Sequence, residues 1–204
     1  MKLYLTRHGQ TEWNLQKRMQ GQNNSPLTEL GEWQATQLGN YLRSVQFDCI
    51  YSSSSPRAMH TAELIRGKRT IPIIASDDLM EIALGEWEGM TYREAKKSNP
   101  EQFYNLWHQS GKYYRPDSEN FDELLQRTSG AIEKIAQQHG GETVLVVAHG
   151  MVLRTLYTYF KGQPICEIAN SQHIHSACVC EVEGGVGAWK VVKWNEEFFL
   201  RIIE

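Results

Sequence analysis

Apolar and polar positions follow two alternating periods along the chain, and these predict strands and helices in turn. Residues 2–6 (KLYLT) read as a strand. A polar stretch through Asn23, Asn24, Ser25 and Pro26 is rich in turn formers. Thr28 then offers a helix cap, and Ala35, Leu38 and Leu42 keep helical spacing behind it. Residues 47–51 (FDCIY) predict a second strand, which runs into Ser52-Ser53-Ser54-Ser55. Pro56 suits a first helical turn, and Ala58, Ala62 and Ile65 line one face of the helix it opens. A short strand is expected at 71–75, followed by a loop holding Glu81, Gly85, Glu86 and Gly89.

Residues 91–118 are less regular and unusually aromatic. Phe121, Leu124, Leu125, Thr128, Ile132 and Ile135 then mark a long amphipathic helix, stopped by Gly140-Gly141. The run TVLVVA (143–148) is apolar at every position but its first, as expected of a strand buried on both faces. Leu153, Leu156, Tyr157 and Phe160 give a further helix, and 177–183 and 188–194 predict two antiparallel strands around Gly184-Gly185-Val186-Gly187. This order predicts an α/β fold: a three-layer α/β/α arrangement with a mostly parallel central sheet. It is read as one domain over 1–204, with a small helical cap-like insertion at about 91–118.

Bulk properties narrow the function classes. An apolar content of 41% with 22% charged residues is ordinary for a soluble globular chain. The net charge of −3 comes with no basic run or stripe, so neither nucleic acid nor an acidic membrane is an expected partner. The apolar stretch in MKLYLTRHG is too short for a signal peptide, and no window reaches a membrane span. Cys49, Cys166, Cys178 and Cys180 do not form a small disulfide scaffold, so a reducing cytoplasm is the expected location. Oligomeric state is left open.

Chemistry gathers at three predicted strand ends. The first gives Arg7-His8-Gly9, the second a serine run and then Arg57, and the apolar run 143–148 gives His149-Gly150. Taken singly, each has an ordinary explanation. Arg7 and His8 fit a solvated turn, His149 fits a satisfied core histidine, and Arg57 fits a surface charge, although it opposes the dipole of the helix it begins. Taken together they predict an anion site, because ligands of open α/β sheets bind beyond the carboxyl ends of the strands, beside helix N-termini. Arginine suits bidentate contact with phosphate.

Four stretches, LTRHGQTEWN, YSSSSPRAMHTAELI, LMEIALGEWEG and VLVVAHG, occur in that order and resemble the histidine phosphatase superfamily, which also contains the cofactor-dependent phosphoglycerate mutases. The resemblance covers nearly the whole chain. Arg-His-Gly alone is a weak signal; the four stretches in register are a strong one. Chain length, MQGQNNSPLT and GETVLVVAHG are most similar to the bacterial broad-specificity phosphatase branch.

The resemblance implies roles. His8 would be the nucleophile that forms a phosphohistidine. Arg7, Arg57 and His149 would bind phosphoryl oxygens, and Glu81 would be the general acid and then the base for water. Asn14 and the Gln20-Gly21 backbone would lie against phosphate or substrate, and Gly9 and Gly150 would allow close approach at the two histidines. No metal or other cofactor is implied. The physics is compatible: flanking cations keep an imidazole neutral and nucleophilic, and phosphoryl transfer needs positioning and charge stabilisation above all. Spacing alone does not separate Glu81 from Asp77, Asp78, Glu86 or Glu88; the family pattern selects it.

Two positions depart from that pattern. Asn24 stands where the family often has Asp, and Ser118-Glu119-Asn120 stands where it often has Gly-Glu-Ser, with Glu119 expected to serve the start of the following helix. His173-x-His175 and Cys178-x-Cys180 would each face one side of a strand; strand packing is favoured over a zinc site, with His175 the candidate for the pocket rim. Tyr92, Phe103, Tyr104, Trp107, Tyr113 and Tyr114 are expected to divide between cap core and pocket lining. The function expected is a metal-independent hydrolase of small phosphorylated metabolites with inorganic phosphate as product. A phosphoglycerate mutase and a non-catalytic module binding phosphorylated ligands are the alternatives.

Overall fold

The structure, a computed structural model, describes residues 1–196 of the 204; the last eight positions of the expected domain lie outside the described residues. Six strands form one mixed sheet: β1 (Lys2–Arg7), β2 (Cys49–Ser53), β3 (Ile73–Ser76), β4 (Thr143–Ala148), β5 (Val179–Gly185) and β6 (Ala188–Glu196). Their order is β3-β2-β4-β1-β5-β6, parallel from β3 to β1 and antiparallel in β5 and β6. The helices are α1 (Glu12–Leu15), α2 (Glu29–Tyr41), α3 (Pro56–Arg66), α4 (Tyr92–Ser98), α5 (Pro100–His108), α6 (Phe121–Gln138) and α7 (Gly150–Phe160).

The three layers follow from the period of two along β4. Leu145 and Val147 face one side, where they pack with Ala35 and Leu38 of α2 and Ala58, Ala62 and Ile65 of α3. Val144, Val146 and Ala148 face the other, against Leu124, Ile132 and Ile135 of α6 and Val152 and Leu156 of α7. Both faces are covered, which is why the run carries no alternating polar positions. Two helix starts use expected side chains, Thr28 accepting the Gly31 N–H and Pro56 occupying the first turn of α3, whereas α6 is capped by Asn120, which accepts the N–H groups of Asp122 and Glu123.

Several expectations need correction. The second strand begins and ends two residues later than its apolar run, because Ser52 and Ser53 pair with Val147 of β4 and Ser76 of β3 and bury their hydroxyls. The third strand is shifted likewise, to Ile73–Ser76. Segment 91–118 is more regular than its pattern implied: Thr91 and Asn99 cap α4 and α5, and a 3-10 turn follows at Ser110–Lys112. Its aromatic residues hide the helical period because they fall on exposed as well as buried positions, Tyr104 and Tyr114 among the exposed and Tyr113 among the buried. The polar stretch after β1 contains α1, one turn closed by a Thr11–Asn14 capping box. His173 and His175 lie before β5, outside any strand, so no strand face aligns them with Cys178 and Cys180.

Gly9 has a different duty from the one expected. A Cβ there would stand 2.4 Å from the Gly31 carbonyl oxygen, and one on Gly31 would stand 2.0 Å from that of Gln10. The pair lets α2 approach the turn after β1 backbone to backbone. Gly31→Ala gains up to about 1 kcal/mol in helix propensity. The backbone clash costs about 1–3 kcal/mol. Since carbonyl and helix are both held in hydrogen bonds, the clash should dominate. The variant should show a lower urea midpoint with an unchanged slope.

Candidate active site

The β1–β4 register decides the centre of the site. Arg7 pairs with Ala148, so the chain leaves both strands at the same level, and the His8 N–H donates to the Ala148 carbonyl at 3.1 Å. The rings of His8 and His149 come to 5.2 Å between centroids. Both are buried, at 2% and 0% exposure.

The hydrogen bonds fix which ring nitrogen is reactive. Nδ1 of His8 lies 2.8 Å from the Gly9 carbonyl oxygen. A carbonyl only accepts, so Nδ1 carries the proton and Nε2 keeps its lone pair. Burial, then the charges of Arg57 and Arg7, push the His8 pKa well below 6.5, so the ring is neutral at neutral pH. Nε2 of His149 lies 2.8 Å from the Ser53 hydroxyl, and Nδ1 is buried without a protein partner. The Ser53 hydroxyl also meets the Ser55 hydroxyl at 3.3 Å, and where it donates to Nε2 instead, the His149 proton lies on Nδ1. Burial and the neighbouring Arg57 likewise depress the His149 pKa well below 6.5.

Two arginines complete this group. Arg57, 1% exposed, is far from the surface charge its position in a helix start implied. Its Nη1 and Nη2 donate to the carbonyls of Asn23 and Gly21 at 2.6 and 2.7 Å. Burial lowers its pKa to about 10, which leaves it charged at neutral pH. Arg7 donates through Nη1 to Ile174 at 2.7 Å. In both arginines Nε is buried without a protein partner. Buried donors are rarely left so. Three such nitrogens, Arg7 Nε, Arg57 Nε and His149 Nδ1, belong to residues grouped around one imidazole lone pair.

Glu81 stands across from them. Its Oε1 accepts the Ile82 N–H at 3.0 Å and its Oε2 the Met151 N–H at 3.1 Å, in the first turn of α7. His8, Arg7, Arg57, Asn14, Gln20, Gly21, Glu81 and Gly150 all line one cavity of about 100 Å³, in which Glu81 is the one lining carboxylate among the described residues. The Asn14 oxygen is tied to the Thr11 N–H at 3.0 Å, which leaves its amide nitrogen to the cavity. A Cβ on Gly150 would sit 3.7 Å from Arg7 Nε and 3.9 Å from Glu81 Oε2, between the cationic side and the carboxylate. Gly21 has a φ of +52°, and a Cβ there would stand 2.2 Å from Glu88 Oε1. Glu88 in turn accepts the N–H groups of Gln22 and Asn23, holding the loop that anchors Arg57.

The departures at Asn24 and Glu119 acquire explanations. The Asn24 oxygen accepts the Arg57 N–H at 3.2 Å, a contact a neutral amide makes as well as a carboxylate. Glu119 does not cap α6, since Asn120 does; it pairs instead with Arg127 at 2.7 Å. Among the aromatics, Tyr92 and Trp107 line the cavity, Tyr113 is buried, and Tyr104 and Tyr114 are 53% and 65% exposed. His173 lines the cavity and joins His175 along an adjoining polar cleft, so the rim holds two histidines rather than His175 alone. Cys178 and Cys180 are buried, and among the described residues no three His, Cys, Asp or Glu side chains are grouped to hold a metal. Sequence reasoning placed Ser53 only within the serine run at a strand end, and it missed Arg18 and Arg154, which carry no local signal beyond their polarity.

Comparison with known proteins identifies the family. The family model described as histidine phosphatase superfamily (branch 1) matches residues 3–197. The chain belongs to that superfamily, and it is a phosphatase. It is 34% identical to the uncharacterized phosphatase PhoE of Bacillus subtilis strain 168, over 94% of this chain and 92% of that one. It is also 34% identical to a metal-independent phosphoserine phosphatase of Arabidopsis thaliana, over 95% and 81% of the two chains. The solved structure of Bacillus stearothermophilus YhfR superposes with a TM-score of 0.94 at 41% identity, covering 96% of this chain and 97% of that one.

The depressed histidines carry a pH signature. His8 and His149 are neutral in the folded chain, whereas in the unfolded chain they take up protons below about 6.5. The unfolded state therefore binds more protons, and stability must fall as pH falls through that value. Between pH 7 and 5 the melting temperature of His8→Asn should drop less steeply than that of the wild type.

Proposed function

We propose that the protein is a metal-independent phosphomonoesterase acting through a phosphohistidine. The observation that carries this reading is the His8 Nε2 lone pair, set among three buried donors with no protein partner of their own. Nε2 attacks phosphorus, the P–O bond to the alcohol breaks, and Glu81 supplies the proton to the departing oxygen. Arg7 Nε, Arg57 Nε and His149 Nδ1 receive the equatorial oxygens, with Asn14 and the Gln20–Gly21 segment beside them. Water then attacks the phosphohistidine while Glu81 takes its proton. Inorganic phosphate leaves and His8 is restored. The residues stay fixed while charge redistributes, so little reorganisation is needed at the moment of transfer.

Segment 91–118 acts as the cap over the leaving group. Tyr92, Leu106 and Trp107 give that side an apolar wall, which supports varied small phosphorylated alcohols as substrates. The phosphoserine phosphatase relative is consistent with such a class. A mutase must hold its phosphohistidine from water and clamp a second anion. Here the basic residues of the cap are turned to other tasks: Arg115 lies 4.1 Å from the Trp87 ring and pairs with Asp117, and Arg93, Lys96, Lys97 and Lys112 do not line the cavity. Arg18 and Arg154 do line it, positioned by the backbone carbonyls of Gly89 and of Ile168 and Ala169, which leaves their charge to meet a polar or charged group on the leaving alcohol.

Two measurements test this reading. His8→Ala should abolish hydrolysis of p-nitrophenyl phosphate, which the wild type performs in excess EDTA. Wild-type protein quenched after labelled substrate should carry acid-labile, base-stable phosphate. Full activity in the variant, or loss of wild-type activity to the chelator, would overturn the histidine mechanism.

On 3-phosphoglycerate, release of phosphate should outpace formation of 2-phosphoglycerate, with little gain from 2,3-bisphosphoglycerate. Isomerisation faster than release would favour the mutase, and ligand binding without turnover would favour a binding module.

A further inference from the structure

Glu81 lies in a stretch with no regular structure of its own. The 3-10 turn Asp77–Leu79 precedes it and the 3-10 turn Gly85–Trp87 follows, and between them no strand ladder or helix fixes the backbone. A proton donor must nevertheless be held to a fraction of an ångström relative to the departing oxygen. Gln22 donates to the Glu81 carbonyl at 3.4 Å, Ser118 to that of Ala83 at 3.0 Å, and Glu88 accepts the Leu84 N–H at 2.9 Å, but the pair that spans the stretch from 78 to 83 is Arg127 of α6 with Glu119, the residue before its cap.

Arg127 of α6 has five N–H donors, and all five have acceptors. Nη1 donates to the Asp78 and Met80 carbonyls at 3.0 and 2.8 Å, and Nη2 to that of Glu81 itself at 3.5 Å. The remaining pair goes to the Glu119 carboxylate, from Nε at 2.9 Å and from Nη2 at 2.7 Å. Glu119 closes the far side: its N–H donates to the Ala83 carbonyl at 3.0 Å, and its Oε2 accepts the Ala83 N–H at 3.3 Å. The backbone is thus held before, at and after Glu81 by one ion pair that is largely buried, with side-chain exposures of 19% and 13%. Only a planar fork with five donors spans these acceptors; an ammonium supplies three from a single point.

We propose that Arg127, braced by Glu119, is a positioning residue for proton transfer by Glu81. It touches no reacting atom and acts by fixing the carbonyls on which the Glu81 side chain is mounted. The inference rests on the reading of Glu81 as proton donor. Loosening the clamp should harm the step that needs the proton and spare the phosphoryl cradle, which is built on β1, α3 and the start of α7.

The test compares an alkyl ester, glycerol 2-phosphate, with p-nitrophenyl phosphate, whose leaving group needs little protonation. Arg127→Lys should lower kcat on the alkyl ester by about 10-fold or more, with KM unchanged, and lower it less than about 3-fold on the aryl ester. Glu119→Gln, which keeps volume and weakens both charged bonds, should give the same signature and serves if Arg127→Lys fails to fold. In a Glu81→Gln background the Arg127 change should cost nothing further, since the group it positions is gone. Equal losses on both esters, or an undiminished loss in the Glu81→Gln background, would overturn the positioning role. If Glu81→Gln alone does not discriminate between the esters, the assignment of Glu81 itself fails, and this inference with it.

Discussion

Two guanidinium groups are held at the carboxyl edge of the sheet, and much of the surrounding structure answers the cost of keeping them there. Desolvation lowers the pKa of both Arg7 and Arg57, and the nearest compensating charge is Glu81. Arg7 Nη1 and both terminal nitrogens of Arg57 bond neutral carbonyls, of Ile174, Asn23 and Gly21, rather than carboxylates. A carboxylate in those places would pair with the cations and compete with an anionic ligand. Carbonyls position the groups while leaving their charge uncompensated, which is the condition for a dianion to bind.

The two histidines follow from the same constraint. An imidazolium beside two buried cations is strongly disfavoured, so both rings are neutral, and the Gly9 carbonyl then places the His8 proton on Nδ1. His8 is left with a free Nε2 lone pair, and His149, tied through Nε2 to Ser53, with an Nδ1 that no protein group meets. Chemically similar side chains thus acquire complementary parts from the atom each is tied to.

Opposite this group stands a single carboxylate, tied to the first turn of α7, the helix for which His149 is the cap residue. The same helix start therefore relates the two sides of the cavity. Loops do the remaining work, and each is gripped by a partly buried side chain: Glu88 holds 22–23 beneath Arg57, and Arg127 with Glu119 holds 78–83 around Glu81. Mobile connections are made to carry precise groups by spending side-chain hydrogen bonds on their backbones.

The layered fold was legible in local pattern because burial on two faces leaves a continuous apolar strand, and burial on one leaves a helical stripe. The run 143–148 and the spacing of Ala35, Leu38 and Leu42 carry that information within a few residues of each other. Arg7, His8, Arg57 and His149 were legible as a group because each follows a strand, and strand ends are where an α/β sheet binds ligands. Glu81 needed the family pattern, since five carboxylates within twelve residues are equivalent by spacing. What the sequence by itself determined was thus the order of elements and the residue types at their ends, which depend on contacts along the chain. The tertiary structure alone decided that β4 lies between β1 and β2, that Arg57 is buried, which nitrogen of each histidine is free, and that Arg127 and Glu119 grip the loop of Glu81. These depend on strand register and on hydrogen bonds between residues far apart in the chain, 96 positions for His149 and Ser53 and 167 for Arg7 and Ile174, and no local period encodes them.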